Sequence, residues 1–131
     1  MRDPQIDPSL ALRMTFYGVF QMSFQHQNLA SGRWDELTTI EQMANIGSEV
    51  ERSIKWKNKG NEKYARLAFE RALELFDLTI DDPKNGPRLK EILRARELFA
   101  DYFAGDNIYC STDSSWQKYF YSYNYAARLG I

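Results

Sequence analysis

The chain has 131 residues, of which 44% are apolar and 15% aromatic, and these values exclude a disordered protein. It carries 17 basic and 18 acidic side chains, so the formal net charge is −1. That balance indicates neither a general nucleic-acid binder nor a protein that attracts acidic substrates. The length suits one domain with its own apolar core. We therefore interpret residues 1–8 as an N-terminal tail and residues 9–131 as a single helical-bundle domain.

The first predicted helix runs from Ser9 to Leu29 and is unusually apolar for a terminal element. Its apolar run, Leu10 to Phe24, is about 15 residues long, short of the roughly 20 that cross a bilayer. We therefore expect no membrane span and predict that this helix packs against a second chain. The protein is thus expected to be a homo-oligomer. The interface candidates are spaced four residues apart: Leu12, Phe16, Phe20 and Phe24.

Single residues limit the available chemistry. Cys110 is the only cysteine, so the chain can form no intrachain disulfide, and a reducing cytoplasm is the expected location. His26 is the only histidine, and its neighbours are those of an ordinary polar helix end. A closed zinc site would need four cysteine or histidine ligands. We therefore predict no catalytic residues, no metal and no cofactor.

The second predicted helix runs from Thr38 to Gly60, and Thr38 and Glu41 have the spacing of a capping box. Its last turns are rich in lysine around Trp56, which lies away from the apolar stripe. Such a patch is suited to gripping phosphates and stacking a base, or it consists of dipole-favoured lysines around a packed tryptophan. The nucleic-acid-binding candidates are Lys55, Trp56, Lys57, Lys59, Lys63, Lys118 and Arg128.

The third and fourth predicted helices run from Asn61 to Ile80 and from Pro87 to Gly105, and each places an arginine inside its apolar face. A buried guanidinium needs partners, so Arg71 and Arg96 should meet carboxylates, carbonyls or an anion. Glu51, Glu74 and Glu97 are candidate partners. The alternative is a pocket in which both arginines hold a phosphate or carboxylate. Carboxylate partners for both would remove the basis of that alternative.

The last predicted helix, from Ser114 to about Leu129, carries aromatic residues on two sides. At helical spacing, one stripe should pack in the core of the chain; it contains Trp116, Tyr119, Phe120 and Tyr123. Tyr121 and Tyr125 project from roughly the opposite side. Tyrosines are typical anchors of protein interfaces, so this pair is a further interface candidate.

Together these patterns predict an all-α protein, a compact bundle of four to five helices. The favoured hypothesis is a non-enzymatic cytoplasmic module that acts through self-association and a protein partner. The second hypothesis is a nucleic-acid-binding accessory protein that uses the lysine and aromatic patch. The third is an enzyme that binds a small anion or nucleotide around Arg71 and Arg96.

Overall fold

The computed structural model describes residues 32–130. This part of the chain forms four α-helices: α1 (Thr39–Asn58), α2 (Glu62–Asp81), α3 (Leu89–Ala104) and α4 (Asp113–Arg128). Two 3-10 helices, Trp34–Glu36 and Pro83–Arg88, precede α1 and α3. The prediction of an all-α bundle is confirmed. The first predicted helix lies outside the described residues, and with it His26 and the interface candidates Leu12, Phe16, Phe20 and Phe24.

Local sequence signals account for where α1 and α2 begin. The Thr38 side chain accepts a hydrogen bond from the Glu41 N–H at 3.1 Å, and the Glu41 carboxylate accepts one from the Thr38 N–H at 2.9 Å. This is the predicted capping box, and it satisfies two backbone donors at the start of α1. Asn61 caps α2 by accepting from the Tyr64 N–H at 3.0 Å. Gly60, at φ +80°, makes the turn between the two helices.

The predicted starts of the other two helices need correction. The capping residue of α4 is Thr112, whose side chain accepts from the Ser115 N–H, while the Ser115 hydroxyl accepts from the Thr112 N–H. A capping box that begins at Ser114 is therefore wrong, because Ser114 already lies in the first turn. The helix predicted from Pro87 begins at Leu89 instead. The residues before it form a 3-10 helix, which Asp82 caps by accepting a hydrogen bond from the Lys84 N–H.

The helices pack in a ring in which α1 contacts α2 and α4, and α2 contacts α3. Helices α3 and α4 meet through large side chains: the rings of Phe99 and Trp116 lie 5.5 Å apart, centre to centre. Phe69 and Phe76 on α2 and Phe120 on α4 complete this aromatic core. The prediction for α4 is also confirmed, because Trp116 and Phe120 are buried whereas Tyr121 and Tyr125 are exposed.

A buried polar network closes the end of the bundle where α1 begins. The Gln42 amide donates to the Trp34 carbonyl at 3.0 Å and to the Asp82 carboxylate at 2.8 Å. Asn85 donates to the Gln42 side chain at 2.8 Å, and the Trp34 indole donates to the Thr79 hydroxyl at 3.0 Å. All five side chains are buried. The network fixes the two 3-10 helices against α1 and α2, since any broken bond would leave a buried polar group unpaired.

Candidate functional site

Two patches that are distant in sequence line one groove between α1 and α4. The groove has a volume of about 620 Å³ and runs along α1 from Gly47 to Lys59 and along α4 from Trp116 to Asn124. Its lining includes Lys55, Trp56 and Lys59 from the predicted nucleic-acid patch and Tyr121 from the predicted protein interface. The fold therefore joins candidates that the sequence assigns to separate functions.

The closeness of the two helices gives the groove its floor. They run antiparallel, because Asn58 at the end of α1 donates to Asp113 at the start of α4 at 3.1 Å, whereas Gly47, earlier on α1, meets Phe120, later on α4. A Cβ atom at position 47 would lie 2.9 Å from the Phe120 side chain, so only glycine permits this approach. Val50, Trp116 and Phe120, all buried, form the apolar floor.

The rims of the groove carry more positive than negative charge. Lys55 and Lys59 are exposed, and within residues 32–130 neither forms an ion pair. Arg52 forms an ion pair at 2.9 Å with Glu49, one turn earlier on α1. Glu51 is the carboxylate that lines the groove in the described part of the chain. Two lysine ammonium groups thus face one carboxylate, so the groove favours an anionic group.

The aromatic side chains differ in how much surface they offer. Tyr121 is 61% exposed and stacks on Tyr125, with ring centres 6.1 Å apart. Trp56 is half-buried because two side chains cover it. The Tyr64 ring packs edge-to-face with the indole, with ring centres 4.9 Å apart, and the Lys59 ammonium lies 5.3 Å from the centre of the indole ring. Packing on a neighbouring helix is therefore part of the role of Trp56. Tyr121 and Tyr125 present the larger free aromatic surface.

The remaining nucleic-acid candidates lie elsewhere. Lys57 donates to the Tyr102 hydroxyl at 2.8 Å and to Asp113 at 3.2 Å, which ties α1 to α3 and α4. Lys63 lines a separate depression together with Arg66 and Phe103. Lys118 and Arg128 are exposed on α4 but do not line the groove. The structure brings together Lys55, Trp56 and Lys59 and separates the other candidates from them.

The two arginines of the anion-binding hypothesis have different environments. Arg96 is buried, and its guanidinium donates two hydrogen bonds to Asp77 on α2, at 2.9 and 3.4 Å. Asp77, one helical turn beyond Glu74, was not among the candidate partners named from the sequence. Arg71 is half-buried on the same helix as Asp77. Since the Arg96 guanidinium already forms two hydrogen bonds to one carboxylate, it is not free to bind an anion in the same way.

A second polar cluster ties α3 to α4. Glu91 accepts hydrogen bonds from the hydroxyls of Tyr119 at 2.8 Å and Tyr123 at 2.9 Å, and Arg88 donates to the Tyr123 hydroxyl at 2.8 Å. Burial is the largest cause that raises the pKa of both tyrosines, and the hydrogen bond to Glu91 raises the pKa further. Both hydroxyls therefore remain protonated donors at neutral pH. Their role is to hold the helices together.

In the described part of the chain, no cluster of three His, Cys, Asp or Glu side chains has the geometry of a metal site. Across residues 32–130, no helix is long and apolar enough to cross a bilayer. Neither the pairing of Asp77 with Arg96 nor the α1/α4 groove was predicted from the sequence. The spacing places Arg96 inside the apolar face of its helix and Asp77 on the polar face of the preceding one, but it does not give the relative rotation of the two helices.

No protein-family model matches this chain, and no curated protein or solved structure is significantly similar to it.

Proposed function

We propose that this protein is a non-enzymatic interaction module that binds a protein partner in the α1/α4 groove and also self-associates. One observation carries the proposal: the fold brings Trp56 and Tyr121 together with two lysines along one groove. Within residues 32–130, neither Lys55 nor Lys59 has a carboxylate partner. Exposed aromatic rings beside a buried apolar floor are typical of the centre of a protein interface. The adjoining Tyr125 extends this surface along the outer side of α4.

The competing enzyme hypothesis loses support from Arg96. Its guanidinium is held by Asp77, so an anion would have to displace a partly buried carboxylate. Among the described residues that line the groove, no hydrogen bond joins a nucleophile to a base, since the Ser48 hydroxyl donates to the Ala44 carbonyl. Binding, rather than catalysis, is the activity that this set of side chains supports.

The nucleic-acid hypothesis remains the second candidate because Lys55, Lys59 and Trp56 do share the groove. It is weaker than the protein-interface proposal, since Lys57 and Lys63 lie outside the groove and Lys57 is already bonded to Asp113. Binding through few phosphate contacts is weak, and it falls as salt rises by an amount that grows with the number of contacts. An aromatic protein interface should be far less sensitive to salt.

Absolute mass by light scattering, at low and high salt, distinguishes these proposals. We expect an oligomer that persists at high salt and has the ultraviolet absorbance of protein alone. Changing Phe16 and Phe20 to serine should yield a monomer with unchanged helix content by circular dichroism, because these residues form the proposed self-association face. A wild-type monomer that carries nucleic acid released by salt would contradict the proposal.

A further inference from the structure

The length of the α1/α4 groove suits a third helix. Its length along α1, from Gly47 to Lys59, corresponds to about 18 Å at 1.5 Å per residue, or roughly three helical turns. Two antiparallel helices with an apolar floor between them form the kind of groove in which an amphipathic helix buries its apolar face. Tyr121 on one rim and Trp56 near one end offer the contacts for apolar anchors.

The charges of the groove identify the polar side of its occupant. Lys55 and Lys59 lie one turn apart on the α1 rim, and in residues 32–130 no carboxylate lies within ion-pair distance of either. On an antiparallel or parallel partner helix, two carboxylates spaced three or four residues apart would reach both ammonium groups. A basic occupant would instead place like charges together, which is unfavourable.

We propose that the partner segment is an acidic amphipathic helix, an inference that rests on the proposed function. Its carboxylates pair with Lys55 and Lys59, and its aromatic or aliphatic side chains pack on Tyr121, Trp56 and the floor at Phe120. Gln117 and Asn124 line the α4 side of the groove and offer amide groups to the polar edge of such a helix. Single-stranded nucleic acid is the less favoured occupant, because within residues 32–130 the groove lysines that form no ion pair are Lys55 and Lys59, too few to follow its backbone.

A selection experiment tests this proposal on the full chain. A display library of random peptides of about 14 residues, long enough to span the groove as a helix, is selected on the immobilised protein. Affinities of the selected peptides are then measured by fluorescence anisotropy. The test variant combines Lys55→Glu with Lys59→Glu, and its matched control combines Lys90→Glu with Arg94→Glu, two exposed basic residues one turn apart on α3 and outside the groove. Tyr121→Ala reports on the apolar contact, and a labelled oligothymidylate is the nucleic-acid probe.

We expect acidic amphipathic peptides whose affinity falls about tenfold or more in the groove variant, falls in Tyr121→Ala, and is unchanged in the control. Selection of neutral or basic peptides that still lose affinity in Tyr121→Ala would contradict the proposal of an acidic partner. The proposed function, binding of a protein partner in the groove, would still hold. Peptides that resemble Leu10 to Phe24 would assign the groove to self-association instead. Recovery of no peptide, with salt-sensitive oligothymidylate binding that the groove variant abolishes, would overturn both proposals.

Discussion

The ring of Phe120 lies directly on the backbone of Gly47, and this contact sets the distance between α1 and α4. A Cβ atom at position 47 would lie 2.9 Å from the Cβ, Cγ and Cδ1 atoms of Phe120. Phe120 is buried and cannot move aside, so Gly47→Ala should force the two helices apart. We expect a loss of about 1–3 kcal/mol in the free energy of unfolding, measured by urea denaturation.

Gly86→Ala is the matched control for this prediction. A Cβ atom at position 86 would have no atom within 4 Å, and the residue does not have a positive φ. The substitution should be neutral or stabilise the protein by up to about 1 kcal/mol, since it restricts the unfolded chain. Equal losses in both variants would show that the approach of α1 and α4 is not limited by position 47.

The pairing of Arg96 with Asp77 predicts a second stability effect. Arg96→Met keeps most of the apolar stem but leaves the Asp77 carboxylate without the two hydrogen bonds from the guanidinium. We expect a loss of about 1.5–3 kcal/mol, the range for hydrogen bonds to charged groups. Because the arginine side chain is only 10% exposed, the loss should persist at high salt.

Lys90→Met serves as the control on α3, because Lys90 is exposed. Its free energy of unfolding should match that of the wild type within the error of urea denaturation. If Arg96→Met proved as harmless as Lys90→Met, the ion pair would not hold α3 to α2, and Arg96 would again be a candidate anion ligand.

Acid should weaken the polar network at Asp82. Burial alone would raise the pKa of Asp82, but hydrogen bonds from the Lys84 and Gln42 side chains and from the Lys84 N–H outweigh burial and lower it. A carboxyl group with a lowered folded pKa stabilises the fold above its ordinary value of 3.8, and this contribution is lost as pH falls from there through the folded pKa. Urea denaturation against pH should show that decline.

Asp82→Asn should be less stable than the wild type at neutral pH and should show a shallower decline in acid. The physical reason is that asparagine cannot titrate, and its amide N–H₂ would oppose the donors of Lys84 and Gln42. Asp106→Asn, in the exposed loop before α4, should leave the stability at neutral pH unchanged. If the free energy of unfolding of Asp82→Asn fell with acid in parallel with that of the wild type, Asp82 would not be the group whose protonation destabilises the fold.

Alkaline titration tests the cluster between α3 and α4. Burial and the hydrogen bond to Glu91 raise the pKa of Tyr119 and Tyr123 above the ordinary value of 10.0. Their contribution to stability is therefore complete below pH 10.0 and is lost as pH rises toward the folded pKa values. In Glu91→Gln, the two hydroxyls should ionise at lower pH than in the wild type. The ultraviolet absorbance of the phenolate measures this ionisation. An unchanged titration curve would show that Glu91 does not influence them.

The sequence was sufficient to predict features that depend on neighbouring residues. The capping box of Thr38 and Glu41 and the buried stripe of Trp116 and Phe120 follow from spacing within one helix, and the structure confirms both. The start of α4 was misplaced because Ser114 and Thr112 are both good caps. Thr112 is favoured by its reciprocal hydrogen bonds with Ser115.

Features that join distant segments could not be predicted in the same way. The network around Gln42 combines side chains from α1, the end of α2 and both 3-10 helices, and none of them has a distinctive local pattern. The groove depends on the contact of Gly47 with Phe120 across a sequence separation of 73 residues. Periodicity assigns residues to a face of each helix, but it does not say which two faces adjoin.

Site-specific photocrosslinking tests the central claim, that the α1/α4 groove binds a protein partner, most directly. A benzophenone amino acid replaces Tyr121 in one variant and Ile108 in another; Ile108 is 70% exposed but lies in the loop before α4, away from the groove. After irradiation in cells, mass spectrometry identifies the adducts. We predict a discrete protein adduct from position 121 that is absent from position 108 and is lost with Lys55→Glu and Lys59→Glu. Nucleic-acid adducts at position 121, or equal protein labelling from both positions, would contradict the claim.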